Sequence, residues 1–202
     1  MFESGITSAV LATQVMRHAF GIDPSSAFGY SMGEVSMLFS LGVWGSMDSM
    51  SEVLNASPLF LERIAGPMNA VREAWKLKDN EYRNEPLWSW HTLRAASKTV
   101  EDELQNHKRV YLVLINSPME VVIAGEPSAC AAFIRKLQCE SRQIPVTDVV
   151  HCEPVQSEYE EIKKVHTNKV VGRPNIKFYS AADYAVTELE SEVLADNIAR
   201  YY

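Results

Sequence analysis

The pentapeptide Gly29-Tyr30-Ser31-Met32-Gly33 constrains this chain more than any other stretch. A Gly-x-Ser-x-Gly run with apolar residues before it and an apolar helical pattern after it specifies a strand, a sharp turn and a helix. The serine hydroxyl then stands at the apex of the turn. Ser25-Ser26-Ala27-Phe28 supplies a short strand, and Val35 to Val43 is mostly apolar. The glycines two residues to either side have no Cβ, so strand and helix can close around the corner. Free N–H groups and the partial positive charge at the helix N-terminus face Ser31. That setting favours the oxyanion formed when a serine attacks a carbonyl. For the pentapeptide in isolation, an unreactive loop serine is the commoner reading.

The segments around this turn define two kinds of layer. Ile6 to Phe20 has apolar residues at helical spacing on one broad face, with Gly21 as its C-cap and Asp23-Pro24 as a turn. After the strand at 25–29 comes a helix over about 32–42, then one capped by Ser46 or Asp48 and running through Leu54. A helical stretch from Pro58 to Trp75 is interrupted near Gly66-Pro67, and Lys76 to Pro86 is a polar loop. The pattern then changes. A strand over 87–93, a helix over 97–107, strands over 109–115 and 120–124, a helix over 128–139 and a strand over 142–150 give the order β-α-β-β-α-β, the ferredoxin-like motif. A helix over 158–166, a strand over 176–180 and a helix over 189–202 complete the chain. The expected fold class is α/β. An incomplete α/β-hydrolase-like large subdomain, 1–85 with 151–202, bears the serine, and a ferredoxin-like βαββαβ subdomain, 86–150, is inserted in it. A core of this kind should have a strand before its first helix; none is present, so a fragment of a larger polypeptide is expected.

Composition excludes some function classes. The 202 residues suit one domain, or one domain plus a subdomain. The formal net charge of -7, with acids and bases interspersed, argues against a nucleic-acid partner. No apolar run reaches the roughly 18 residues of a membrane span, and the N-terminus lacks the basic start of a secretory signal. Cys130, Cys139 and Cys152 form no Cys-x-x-Cys pair, which fits reduced thiols in a cytoplasmic protein and no metal site.

Gly29-Tyr30-Ser31-Met32-Gly33-Glu34 resembles the Gly-His-Ser-x-Gly-Glu motif of the acyltransferases of fatty-acid and polyketide synthesis, among them malonyl-CoA:acyl carrier protein transacylase. The likeness continues through Asn116-Ser117-Pro118 and Val122-Ile123-Ala124-Gly125 and covers most of the chain. Ser57-Pro58-Leu59-Phe60 and Phe178-Tyr179-Ser180-Ala181-Ala182 look most like the acyltransferase domains of polyunsaturated-fatty-acid and heterocyst-glycolipid-type synthases. The resemblance implies that Ser31 is the nucleophile and that His151, about 120 residues later, is its general base. It places Arg63 where the family binds a malonyl carboxylate, and the Met32 N–H as an oxyanion donor. Tyr30 stands beside the acyl site in place of the family's histidine.

The resemblance further implies an acyl transfer without a bound cofactor. An acyl-CoA would acylate Ser31, and the phosphopantetheine thiol of an acyl carrier protein would collect the acyl group. Ketosynthase and other synthase domains would lie in the same polypeptide, with neither nucleic acid nor membrane as a partner. The family's N-terminal glutamine-bearing motif and late C-terminal glutamine are not found, so only half of the oxyanion site is expected here. Two other readings remain open. A serine esterase or thioesterase could use the same serine, with Asp148 or Asp183 as the third triad member. A non-catalytic acyltransferase remnant is the other. Asp148-Val149-Val150, before His151, matches neither common extender-unit pattern. His18, His91, His107 and His166 are read as structural, Cys152 as packing, and Glu34 as a stabiliser of its helix N-terminus.

Overall fold

The structure, a computed structural model, describes residues 2–82 and 85–202. Residues 83 and 84 of the expected polar loop lie outside that set. Contacts divide the chain into two units, one running up to Leu59 and resuming at Glu158–Tyr202, the other Phe60–Ser157. Residues 60–82, 85 and 151–157 belong to the second unit by these contacts.

The first unit is built on two short parallel strands, β1 (Ser26–Phe28) and β6 (Lys177–Tyr179), in register Ala27 to Phe178. The helices α1 (Phe2–Phe20), α2 (Met32–Ser40), α3 (Asp48–Ala56), α7 (Tyr159–His166) and α8 (Ser191–Tyr201) surround them. The N-cap of α3 is Met47, which offers no side-chain acceptor, not Ser46 or Asp48; Ser46, one residue further out, accepts from the Asp48 N–H at 3.1 Å. Ile6, Val35, Leu38, Val43, Trp44, Phe178, Leu194 and Ile198 form one buried cluster. Each such side chain contributes about 1.5–3 kcal/mol by leaving water, and Phe39 meets Trp44 edge-to-face at 5.3 Å. The apolar face read along the first helix is buried only in part. Ile6 is fully enclosed, whereas Val15, Met16 and Phe20 on the same face are exposed, Phe20 by 69%.

In the second unit, β2 (Ser89–Arg94), β3 (Val110–Ser117), β4 (Glu120–Gly125) and β5 (Glu140–Ile144) form an antiparallel sheet in the order β3-β4-β2-β5. The helices α5 (Ser97–Leu104) and α6 (Pro127–Leu137) complete the β-α-β-β-α-β order. The sheet has the expected ferredoxin-like topology. Leu93, Val100, Val110, Val121, Ile123, Cys130 and Phe133 make its core. Pro127 opens α6, where its missing N–H costs nothing, and Gln138 closes it in the left-handed region. The last strand ends earlier than expected. Pro145 has no N–H to give the ladder, so β5 stops at Ile144 and 145–150 is irregular. The strand β3 is buried at Val110 and Val113, half-buried at Tyr111, Leu112 and Leu114, and exposed from Ile115 onward. Ahead of the sheet, the 58–75 stretch breaks into a single π-turn at Leu59–Arg63 and the short α4 (Asn69–Ala74). Gly66, at φ +57, sits between them, where a Cβ would lie 2.5 Å from the Leu61 carbonyl oxygen.

Candidate active site

Ser31 lies between β1 and α2 with φ 55 and ψ -128. A non-glycine residue in this region carries about 1–3 kcal/mol of strain, which the surrounding structure must hold. Closure of the corner depends on Gly29, whose added Cβ would lie 2.2 Å from the Gly33 carbonyl carbon. Gly33 is different. A Cβ there meets nothing within 4 Å, so only one of the two glycines is required for close approach. The turn is stitched by Gly33 N–H to Tyr30 O at 2.9 Å and Glu34 N–H to Ser31 O at 3.0 Å. Met32 opens α2, and among the described residues its N–H has no acceptor. An open groove of about 500 Å³ runs beside the turn, lined in part by Phe28, Gly29, Tyr30, Gly33 and Met37.

Glu34 is 2% exposed. Its Oε2 accepts from the Ala181 N–H at 3.2 Å, joining α2 to the chain leaving β6. Burial pushes this carboxyl up to about 7, against hydrogen bonds from Ala181 and Ser180 and the charge of Arg200. Glu34 lies in the first turn of α2, and its carboxyl also ties that turn to residues 180–181. Arg200 on α8 grips Asp183 with both guanidinium nitrogens, at 2.7 and 2.6 Å, and its Nε reaches Asp196 at 2.9 Å. Asp183, one of the two acids available for a hydrolase triad, is thus engaged by Arg200, which also holds its carboxyl below the usual range. Next to Ser31, the exposed Tyr30 ring meets Tyr201 edge-to-face at 5.7 Å and 66°.

Arg63 and His151 both lie in the second unit. The chain just beyond Arg63 is tied to the chain just before His151. Val149 N–H donates to Ile64 O at 2.7 Å, and Trp90 Nε1 donates to Asp148 O at 2.9 Å. His151 follows in the left-handed region, at φ 58, a conformation that histidine tolerates better than most residues. The Arg63 fork is taken by Glu73 in a two-pronged pair, 2.5 and 2.8 Å, and the guanidinium lowers the Glu73 carboxyl below its ordinary range. The neighbouring Cys152 thiol is pushed up to about 12 by burial, so it remains a thiol and packs. No group of three His, Cys, Asp or Glu side chains arranged to hold a metal occurs among the described residues.

Sequence reasoning missed Glu73 and Tyr201. Glu73 follows Arg63 by ten residues across the Gly66 turn, and Tyr201 reaches the turn only through the packing of α8. Neither contact leaves a spacing signal.

The comparisons with known proteins bear on this geometry. A polyunsaturated fatty acid synthase subunit from Thraustochytrium sp. is 29% identical over 211 residues, which take in the whole of this chain. The malonyl CoA-acyl carrier protein transacylase of Coxiella burnetii superposes with a TM-score of 0.70 at 14% identity, over 97% of this chain and 58% of that one. This chain has the fold of the acyltransferases of fatty-acid and polyketide synthesis. A second acyltransferase structure, a type II polyketide malonyl-transacylase in complex with its acyl-carrier protein, gives a TM-score of 0.69 at 19% identity over 97% of this chain and 60% of its own. No family model matches the sequence. The chain spans about a tenth of the length of the Thraustochytrium relative.

Proposed function

We propose that this chain carries acyl-transfer chemistry in fatty-acid or polyketide synthesis, moving a malonyl or related acyl group from CoA to the phosphopantetheine of an acyl carrier protein. The observation that carries the reading is Ser31. It sits at a strained strand–turn–helix corner with an unused Met32 N–H, within a fold shared with malonyl-CoA:acyl carrier protein transacylases. In this reading His151 takes the Ser31 proton while Oγ attacks the thioester carbonyl. The developing oxyanion is met by the Met32 N–H. The C–S bond then breaks, and CoA leaves as the thiol with the proton from His151. In the second half the pantetheine thiol attacks the acyl-serine, the C–O bond breaks, and Ser31 regains its proton.

Arg63 binds the malonyl carboxylate by exchanging it for Glu73. Glu73 is solvent-exposed, so water and salt screen its hold on Arg63 and an incoming carboxylate can replace it. The carrier protein and further synthase domains are the partners in this proposal. Three unpaired thiols favour a cytoplasmic setting, and no helix among the described residues is long and apolar enough to cross a membrane. The engagement of Asp183 by Arg200 weighs against its serving as the third member of a hydrolase triad. The test is a partition assay on acylated protein chased with holo carrier protein. Transfer to the carrier faster than loss to water is expected; rapid loss to water with no transfer would replace this reading with a thioesterase.

A further inference from the structure

The C-terminal end of α8 lies on the nucleophile turn, and the nature of that contact points beyond packing. Tyr201, the last residue of α8, is half-buried with its ring edge-to-face with Tyr30, the residue before Ser31. The Tyr201 hydroxyl donates to the Tyr30 hydroxyl and accepts from the main-chain N–H of Ser31. The phenol is held far above its ordinary range, first by burial and then by Tyr30, so it stays protonated throughout the working pH range. The preceding residue, Arg200, is fixed by three acceptors, Asp183, Asp196 and Asn197. The end of α8 is therefore pinned, and Tyr201 with it.

We propose that Tyr201, acting with Tyr30, is a positioning residue that holds the Ser31 backbone in its left-handed conformation and so aims Oγ. The proposal rests on Ser31 being the nucleophile. Ser31 precedes the first residue of α2, so its N–H has no acceptor within the helix and needs one of its own. Tyr201 supplies one without competing for the Met32 N–H. Tyr30, which stands where the resemblance expects a histidine, closes the ring by accepting the Tyr201 proton. A histidine imidazole at position 30 would offer a differently placed acceptor. The tyrosine pair is thus this chain's own solution to holding the turn.

The test uses the 202-residue chain, a fluorophosphonate probe that phosphonylates reactive serines, and malonyl-CoA as the acyl donor. Tyr201→Phe keeps the ring and removes the hydroxyl; Tyr30→Phe removes the other end of the bond. Each is expected to lower the limiting rate of Ser31 labelling about five- to tenfold, the size of one lost hydrogen bond. The half-saturating probe concentration should not move, and the thermal midpoint should fall by no more than the few degrees that one lost hydrogen bond costs. The double variant should label no more slowly than Tyr201→Phe alone, because the two act as one unit. Unchanged limiting rates, a rate loss that tracks a larger fall in thermal midpoint, additive losses, or a wild type that the probe does not label would each overturn the proposal. A wild type that takes the probe but not malonyl, with the variants slowed as stated, supports the positioning role and refutes the malonyl-transfer reading alone.

Discussion

Replacing Glu34 by glutamine should make the chain more stable at neutral and higher pH, and the size follows from the site. The Glu34 carboxyl is raised from its ordinary 4.5 to about 7, chiefly by burial. The folded state therefore holds this proton more tightly than the unfolded state. Below pH 4.5 the carboxyl is neutral in both states and its contribution is fully present. As pH rises through about 7 the folded state must accept a buried charge, and stability falls by about 3 kcal/mol in total. The Glu34→Gln side chain keeps an acceptor for the Ala181 N–H and never ionises. The groups facing the site are Ser180, the Ala181 N–H and Arg200, and the substitution leaves each of them in place. His166 titrates with the opposite sign. It is fully buried, its Nδ1–H donates to Ile162 O at 2.8 Å, and burial lowers it to about 4, so its contribution is lost as pH falls from 6.5 toward 4. Because His166 is the same in both proteins, it cancels from the difference between them. Guanidinium unfolding of both proteins at intervals from about pH 4 to 8 measures that difference. The variant should gain about 3 kcal/mol on wild type across the range, most of it between about pH 5 and 7.5. A difference that does not change with pH would refute the buried, proton-holding Glu34.

Gly29→Ala should cost about 3 kcal/mol or more and abolish labelling of Ser31, because the new methyl would overlap the Gly33 backbone; Gly33→Ala, in open space within α2, should leave stability unchanged or raise it by up to about 1 kcal/mol, and circular dichroism melts separate the two. Glu73→Gln should remove the charge that competes with a substrate carboxylate for the Arg63 fork and raise the preference for malonyl over acetyl by about two- to fivefold, read by mass spectrometry in a competition between the two CoA esters; an unchanged ratio would remove Arg63 from the acyl site. Phe133→Ala should cost about 3–5 kcal/mol, measured by denaturant unfolding, since Phe133 is wholly buried beneath the sheet.

The architecture was legible where hydrophobic period and turn chemistry agreed. The β-α-β-β-α-β order followed from short apolar runs divided by Asn116-Ser117-Pro118 and Gly125, and the nucleophile corner followed from glycine spacing. The misplaced β5 has a local cause. Val146, Val149 and Val150 carry apolar weight, but Pro145 ends the ladder before them. The incomplete burial of α1 has another cause. Spacing identifies an apolar face but not what covers it. Site residues fell into two groups. Those with a local signature, Ser31 and its glycines, could be read from the pentapeptide and its flanks, while Arg63 and His151 needed the family likeness. Glu34 tied to 180–181, Glu73 on Arg63, and Tyr201 on the Ser31 N–H are tertiary contacts between segments with no shared period, so no pattern in the sequence could show them.

The central claim is that Ser31 becomes acylated, and its most direct test is to map the site after exposure to malonyl-CoA. The chain, rapidly quenched and digested, should carry malonyl on the peptide bearing Gly29-Tyr30-Ser31-Met32-Gly33, and fragmentation should place it on Ser31. Ser31→Ala should carry none, and His151→Ala should acquire it at least about a hundredfold more slowly, the usual loss with a general base. Malonyl on another residue, or none on the wild-type chain under conditions that acylate a malonyl-CoA:acyl carrier protein transacylase, would contradict the account.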